Sequence, residues 1–410
     1  MKLIVTEMTY RISVVVPTFK RPDLLHQCLR ALTMQDLDPT DYEIIVVDDA
    51  ACETTRRQVD DWIECMHRGK CEDGPVHTIR YIAVTGSHGP AIARNVGWRA
   101  ARGEIIAFTD DDCIPTPGWL SAGLAAFTDG VVGASGKLIM PLVHIPTDYE
   151  RDATQLEKSE FVTANCFYRR DMLERVGGFD ERFIAAWRED SDLFFTLQEY
   201  VEKCRGVQDQ DGGRPQGSPL HVPTTPAPTD DVPQDDGLRD RDDGRPQGSP
   251  LHIFTALAPT DGDCGHGRRP GPLPAFVYVP WAVVIHPVRS ASWGISLKQQ
   301  RKSMYNALLY KKHPALYRQK IQAAPPWHYY CILAALLVAL VSMVAGCWLF
   351  ALGALAAWMI MTGRFCLQRL YQTSHAPSHV MEMIVTSILI PPLSIFWRIV
   401  GAIRFRVFFL

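Results

Sequence analysis

Apolar and polar residues alternate along this chain in two rhythms that predict strands and helices in turn. Arg11-Ile12-Ser13-Val14-Val15-Val16-Pro17-Thr18-Phe19 is a short β-branched run closed by proline, hence a first strand and a turn. After Arg21-Pro22-Asp23, the apolar positions Leu24, Leu25, Cys28, Leu29 and Leu32 recur at helical spacing, with Pro22 suited to a first turn. Tyr42-Glu43-Ile44-Ile45-Val46-Val47-Asp48-Asp49 is a second buried strand that ends in carboxylates. A helix over about Thr54 to Met66, a strand over Thr78 to Val84 and a helix over Ala91 to Ala101, just after Pro90, continue the series. Strands that alternate with helices in this way predict an α/β fold with a parallel sheet.

The stretch that organises the rest is Ile105-Ile106-Ala107-Phe108-Thr109-Asp110-Asp111-Asp112-Cys113-Ile114-Pro115. An apolar run that stops at three consecutive carboxylates reads as a buried strand presenting negative charge to a crevice, where open α/β sheets bind ligands. Three adjacent acids repel one another unless a cation sits among them, and a divalent ion shared with a phosphate is the natural partner. A solvated acidic turn is the alternative reading. Arg94 and Asn95 lie in the first turn of the Ala91–Ala101 helix, where free backbone amides favour an anion, although a surface ion pair also fits Arg94. Further on, Pro117-Gly118-Trp119-Leu120 opens a helix, Val131 to Met140 reads as a strand pair or a strand with a turn, and Phe161 to Tyr168 as another strand. Gly177-Gly178 is a turn, and Asp190 or Ser191 caps the helix that continues into Leu193-Phe194-Phe195-Thr196-Leu197.

From about Arg205 to Pro274 the pattern disappears. The segment is dense in Pro, Gly, Asp, Arg and Gln and is expected to be a disordered insertion. Within it Asp211-Gly212-Gly213-Arg214-Pro215-Gln216-Gly217-Ser218-Pro219-Leu220-His221 returns as Asp242-Asp243-Gly244-Arg245-Pro246-Gln247-Gly248-Ser249-Pro250-Leu251-His252, a tandem duplication. Order resumes at Ala275 to Pro287, expected as two short strands ending on His286. Lys298 to Lys312 then reads as a basic amphipathic helix at a membrane surface. Trp327 to Met361 is apolar and uncharged, too long for one comfortable span and suited to a hairpin bent at Gly346 or Gly353. Val380 to Val400 is apolar but holds Pro391-Pro392, so it is either a kinked span or an in-plane helix, and the expected number of spans is one to three.

Composition changes the picture in two places. The net charge of -3, with 47% hydrophobic and 21% charged residues, argues against a nucleic-acid binder. That average hides a split, because from Lys311 onward there are nine Lys or Arg and one acid, Glu382, which points to a membrane lipid surface. Basic residues on both flanks of the long apolar run favour a hairpin with both ends in the cytoplasm. The 11 cysteines include no CxxC pair, and the N-terminus has no apolar segment of signal-peptide length, so a cytoplasmic first domain is expected.

Taken in order, Val14-Val15-Val16-Pro17-Thr18-Phe19, Ile45-Val46-Val47-Asp48-Asp49, Ala93-Arg94-Asn95-Val96-Gly97, Phe108-Thr109-Asp110-Asp111-Asp112 and Gly177-Gly178-Phe179-Asp180-Glu181 with Glu189-Asp190 resemble the family 2 glycosyltransferases, inverting enzymes of the GT-A fold that use nucleotide sugars. The resemblance covers about Ile12 to Leu197 and resumes near Phe276 to Trp293. It implies that Pro17, Thr18 and Phe19 form the turn against the nucleobase and ribose, that Asp48 and Asp49 contact the base, and that Arg94 lies near the diphosphate. It makes Asp110 to Asp112 the DxD motif, with Asp112 closest to Mg2+ or Mn2+, and Asp110 and Asp111 at the ribose and the metal's water shell. His286 is implied as a late metal or phosphate ligand, and Asp190 as the general base, with Glu189 and Asp192 its nearest competitors. The Gln-x-x-Arg-Trp motif of processive members is missing, the nearest text being Gln299-Gln300-Arg301-Lys302-Ser303, which favours single-sugar transfer.

The expected architecture is therefore a GT-A domain over 10–204, an insertion over 205–274, the end of the domain with its basic helix over 275–312, and a membrane-associated helical region over 313–410. The expected activity is inverting transfer from a nucleoside-diphosphate sugar, UDP-linked, to a hydroxyl of a lipid-linked or envelope glycan acceptor at the cytoplasmic membrane face. A processive polysaccharide synthase of the same fold and a non-catalytic membrane scaffold are the alternatives.

Overall fold

The computed structural model describes residues 10–67, 76–211 and 275–409, with backbone alone for 205–211. Its first part is β1 (Ile12–Thr18), α1 (Pro22–Thr33), β2 (Tyr42–Asp48), α2 (Glu53–His67), β3 (Thr78–Ala83), α3 (Pro90–Ala100) and β4 (Ile105–Phe108). β1 pairs in parallel with both β2 and β4, and β2 with β3, so their C-terminal ends share one edge. Every residue of β2 and β4 is buried, and one buried cluster lies on each side of the sheet. Side chains of β1 and β2 alternate between the clusters: Val15, Ile45 and Val47 meet α3, whereas Val14, Val16 and Ile44 meet α1. That two-sided burial is why the strands read as continuous apolar runs. Gly97 sets the spacing, since a Cβ there would come within 2.3 Å of Val15 Cγ1.

The second part adds β5 (Ile114–Pro115), α4 (Trp119–Ala125), β6 (Val131–Ile139), α5 (Asp148–Ala153), β7 (Cys166–Arg169), α6 (Arg170–Val176), α7 (Glu189–Asp211) and β8 (Ala275–Ile285). Among the described residues the sheet has eight strands, in the order β3-β2-β1-β4-β7-β6-β8-β5, with β7 antiparallel to β4 and to β6. Three sequence expectations need correction. Val131 to Met140 is one strand, without a hairpin. Phe161 to Tyr168 becomes strand only at Cys166: Phe161 sits at a left-handed φ of 51°, and Asn165 N–H donates to Val162 O in a turn just before the strand. The two strands expected over Ala275 to Pro287 are one strand with a bulge: β8 partners jump from Val279 to Val283 while β6 advances only from Gly136 to Lys137. Pro280 cannot donate to a ladder, so the chain loops out there, and the Asn165 amide donates to Ala282 O at 2.9 Å and to Lys137 O at 2.9 Å to hold the bulge. β8 inserts between β6 and β5, so the chain from Ala275 onward completes the same sheet. The expected insertion, 205–274, lies outside the described residues except for the last turns of α7.

The third part is helical: α8 (Ile295–Gln299), α9 (Tyr305–Lys312), α10 (Pro314–Leu316), α11 (Trp327–Val344), α12 (Trp348–Leu370) and α13 (Pro377–Phe405). The single basic membrane-surface helix expected over Lys298 to Lys312 is instead α8, a 3-10 segment and α9, and its apolar residues Met304, Leu308 and Leu309 are buried in the core beside α7. α11 and α12 form a hairpin turned at Gly346, whose φ is 74°. All three long helices are apolar and long enough to cross a membrane, but α11 and α12 are 11% buried over their apolar windows and α13 is 44% buried. α13 touches the α/β domain at both ends: Gly294 N–H donates to Glu382 Oε1 at 2.7 Å, and Lys311 Nζ to Phe405 O at 2.8 Å. Pro391 and Pro392 lie inside this one continuous helix. Arg369 of α12 reaches Asp148 at 2.8 Å and fastens the hairpin to the same domain.

Candidate active site

The shared edge of β1, β2 and β4 gathers most of the acids singled out in the sequence, and the structure separates those used by their own turns from those left facing a crevice. Asp48 is buried and accepts from Ala50 N–H at 2.9 Å, Cys52 N–H at 2.7 Å and the Tyr81 hydroxyl at 2.9 Å. Asp49 accepts from Gly89 N–H at 3.0 Å and lies 3.3 Å from His88 Nδ1, so it ties β2 to the start of α3. Pro17 and Thr18 end β1, and Phe19 just beyond is 49% exposed at the edge.

Each acid of the triplet has its own arginine. Arg94 donates to Asp110 Oδ1 at 2.8 Å, Arg21 to Asp111 Oδ1 at 3.0 Å, and the Arg289 guanidinium lies against Asp112 Oδ2. Thr18 also donates to Asp111 Oδ2 at 2.7 Å. Burial pushes the Asp111 carboxyl up to about 6, against the pull of Arg21 and Thr18. Asp112 is 6% exposed, and His286 Nε2 lies 3.6 Å from its Oδ1.

Ligand atoms of Asp112, Cys113 and His286 lie within 4.8 Å of one another. Asp112 Oδ2 is buried and makes no well-aligned hydrogen bond despite the nearness of Arg289. Burial and the neighbouring acids drive the Cys113 thiol well up, so it stays protonated and is a poor ligand. The Asp112 carboxylate, a hard oxygen donor, and the His286 imidazole, a borderline nitrogen donor, remain, a set that suits a divalent cation and Mn2+ better than Mg2+.

The second half of the site comes from the start of α7. Arg188 holds a left-handed φ of 76° before it, a conformation that costs a non-glycine residue on the order of 1 kcal/mol or more. Glu189 is buried, accepting from Arg94 Nη1 at 3.0 Å and from Trp187 N–H at 2.7 Å. Burial raises its carboxyl to about 7 while Arg94 opposes the rise. Arg94, for its part, would lose affinity for its proton through burial, yet Asp110 and Glu189 keep it firmly charged. Asp192 is consumed by Lys312 at 2.7 Å and by His313 at 3.3 Å. Asp190 is the exception. It is partly exposed, and among the described residues it accepts only from Ser191 and forms no salt bridge, although the charges of Arg94 and Arg188 are near enough to act on it.

Arg94 therefore joins the two halves, since one guanidinium holds Asp110 of the triplet and Glu189 beside Asp190. Its neighbour Asn95 clamps the turn between them, accepting from Phe179 N–H at 2.9 Å and donating to Phe179 O at 2.9 Å. In that turn Asp180 is held well below the usual carboxylate range, since hydrogen bonds from Arg182 and Lys312 outweigh its burial. Sequence reasoning missed Arg21, Arg289 and Lys312. The available signal was a basic residue a few positions past a strand end, Arg21 after β1 and Arg289 after β8.

The family model for glycosyl transferase family 2 matches residues 13–177. The glycosyltransferase AglE of Haloferax volcanii is 24% identical over 184 residues, 42% of this chain and 57% of that protein. The pre-mycofactocin glycosyltransferase of Mycobacterium tuberculosis is 34% identical over 135 residues, 29% of this chain and 28% of that protein. The chain thus spans little more than half the length of the first of these relatives and less of the other. The mannosyltransferase PcManGT of Pyrobaculum calidifontis, solved with GDP-Man and Mn2+, is 16% identical, covers 94% of this chain and 87% of its own, and superposes with a TM-score of 0.50, a likeness of fold. The chain carries, over residues 13–177, a family 2 glycosyl transferase domain of the GT-A fold.

Proposed function

We propose that this protein is an inverting glycosyltransferase that moves a sugar from a nucleoside-diphosphate donor, UDP-linked, to a hydroxyl of a lipid-linked or envelope glycan acceptor at the cytoplasmic face of a membrane. The observation that carries this reading is the Arg94 bridge: it brings the acidic triplet and the Glu189-Asp190 pair into one crevice. Curated relatives are named as glycosyltransferases, and one solved neighbour of the same fold holds GDP-Man and Mn2+. The apolar hairpin beside the domain supports an acceptor met at the bilayer.

Asp190 is assigned as the base. It is the partly exposed acid of its cluster, and in its ionised form it takes the acceptor hydroxyl's proton as that oxygen attacks the anomeric carbon. Glu189 stays paired and positions Arg94. Asp112 and His286 are the residues that would hold Mg2+ or Mn2+, which as a Lewis acid offsets charge on the departing diphosphate. Asp110, its carboxylate the most open of the triplet, is assigned to the donor's ribose side, and Pro17, Thr18 and Phe19 to the base, with Phe19 offering an exposed ring for stacking. Asp49 and Asp111 are assigned to positioning these groups, and Asp48 to shaping the loop that carries Asp49.

The test is calorimetric titration of the full chain with UDP and with GDP, with Mn2+ present and then chelated. Micromolar binding of UDP that is lost with EDTA and in Asp112→Ala supports the donor site. A folded sample that binds neither nucleotide refutes it.

A further inference from the structure

Away from the crevice, a cavity of about 210 Å³ opens where the chain enters α11. Its floor is Arg398 of α13, 4% exposed, whose Nη1 donates to Gln322 Oε1 at 3.1 Å and whose Nε is buried without a partner. Arg318 stands at its rim and donates to the Tyr310 hydroxyl at 3.0 Å. Among the described residues no carboxylate lines the cavity, and neither arginine has an acidic partner. Two guanidinium groups that line one cavity with no described counter-ion favour an anion there. The remaining walls are aromatic: Phe409, with Arg398 4.2 Å from its ring centroid, Tyr317, and the exposed rings of Trp327 and Phe408.

The position of the cavity says what carries the anion. Trp327 is the first residue of α11, an 18-residue helix about 27 Å long at the usual rise, which matches a hydrocarbon core. A cavity at that helix end lies at headgroup depth, where Trp and basic residues gather. α13 agrees with that level. It is fastened to the α/β domain at both ends, and Met381, Ile384, Ile388, Phe396, Ile399 and Ile403 form an exposed apolar stripe at helical spacing along it.

We infer that the Arg398–Arg318 cavity binds a phosphate group carried on a membrane lipid, with the guanidinium groups on the phosphate and the aromatic walls against the lipid's apolar start. The site lies beside the membrane hairpin and is separate from the donor crevice, so its occupation is measurable without any sugar transfer.

The experiment uses the full chain in neutral detergent and follows its melting temperature while short-chain phosphatidylglycerol, a polyprenyl monophosphate, short-chain phosphatidylcholine or inorganic phosphate is titrated. A saturable rise with the anionic lipids and none with inorganic phosphate at the same concentration is the expected result. Arg318→Gln, at an exposed position that tolerates the change, raises the half-saturating lipid concentration about tenfold. Arg398→Gln does the same if it folds, and Arg364→Gln, on the basic flank outside the cavity, leaves it unchanged. Tighter binding of the polyprenyl phosphate assigns the site to a lipid-linked substrate, and equal binding assigns it to bulk anionic lipid. An equal response to inorganic phosphate, or an equal loss in Arg364→Gln, overturns the inference. UDP titration of the same variants separates this outcome from a failure of the glycosyltransferase reading.

Discussion

Replacing Arg94 by methionine removes one guanidinium from two carboxylates at once, and the cost follows from how deeply each is buried. Asp110 keeps 28% of its side chain exposed, so water replaces much of what it loses; Glu189 keeps 4% and has only Trp187 N–H left. Stripping the partner from a buried ion costs about 3–5 kcal/mol. The carboxyl escapes part of that cost by taking a proton, so the loss depends on pH. Burial already raises Glu189 to about 7 in the folded protein, and without Arg94 it rises further. A carboxyl raised on folding supports the native state at low pH and loses that support as pH climbs through its folded value. Below pH 7 both proteins carry Glu189 protonated, and its contribution to their difference is small. Above pH 7 the wild type ionises against Arg94 and the variant does not, so the gap widens by about 1.4 kcal/mol per pH unit. Thermal melts in detergent at pH 6 and pH 9 measure it, with the larger drop in melting temperature expected at pH 9. An equal drop at both values would falsify the electrostatic account and leave only lost packing against Phe179, 5.9 Å away.

Asp190→Asn keeps the shape of the carboxylate and removes its basicity, so turnover should fall by about 10²–10⁴-fold while calorimetric UDP affinity holds; undiminished turnover would return Asp190 to a capping role. Gly97→Ala places a Cβ 2.3 Å from Val15 Cγ1 and 3.0 Å from Val47 Cγ2, and the forced shift of α3 from the sheet should cost about 1–3 kcal/mol in a melt. Arg369→Met strips the cation from Asp148 at 2.8 Å and from the Thr386 hydroxyl at 2.6 Å. Limited proteolysis should then cut the 371–376 link faster, and adding Asp148→Asn should restore part of the protection, a coupling that independent sites would not show.

The elements that sequence reasoning placed well are those whose pattern is set by burial on both faces of a sheet. β1, β2 and β4 needed only their own residues to be recognised, because a strand hidden on both sides must be apolar throughout. β8 was split in two because its bulge depends on a partner: Pro280 reads as a strand end until Asn165, distant in sequence, is seen to donate to Ala282 O. The Lys298–Lys312 segment failed for a related reason. Its apolar side fits a bilayer and a protein core equally well, and only the burial of Met304, Leu308 and Leu309 decides between them.

The site divides along the same line. Acids at strand ends are visible in sequence, since an apolar run that stops at carboxylates is a local pattern, and Asp48, Asp49, Asp110, Asp111, Asp112, Glu189 and Asp190 were all found that way or by resemblance. What each acid does is decided by cations and amides that arrive from elsewhere. Asp111 meets an arginine 90 residues away and Glu189 one 95 residues away. Asp48 is consumed by amides of its own turn, which backbone geometry alone reveals. Neutralisation by distant arginines has a chemical consequence beyond stability. The triplet is held at closely matched charge, with Arg21, Arg94 and Arg289 against Asp111, Asp110 and Asp112. Were Asp112 to hold a divalent ion, Arg289 would lose its carboxylate partner, and its guanidinium would then be available to an anionic ligand such as the proposed donor's phosphates. Arg289→Gln should accordingly tighten Mn2+ binding measured without nucleotide and weaken UDP binding measured with it, a pair of opposite changes that a merely structural arginine would not produce.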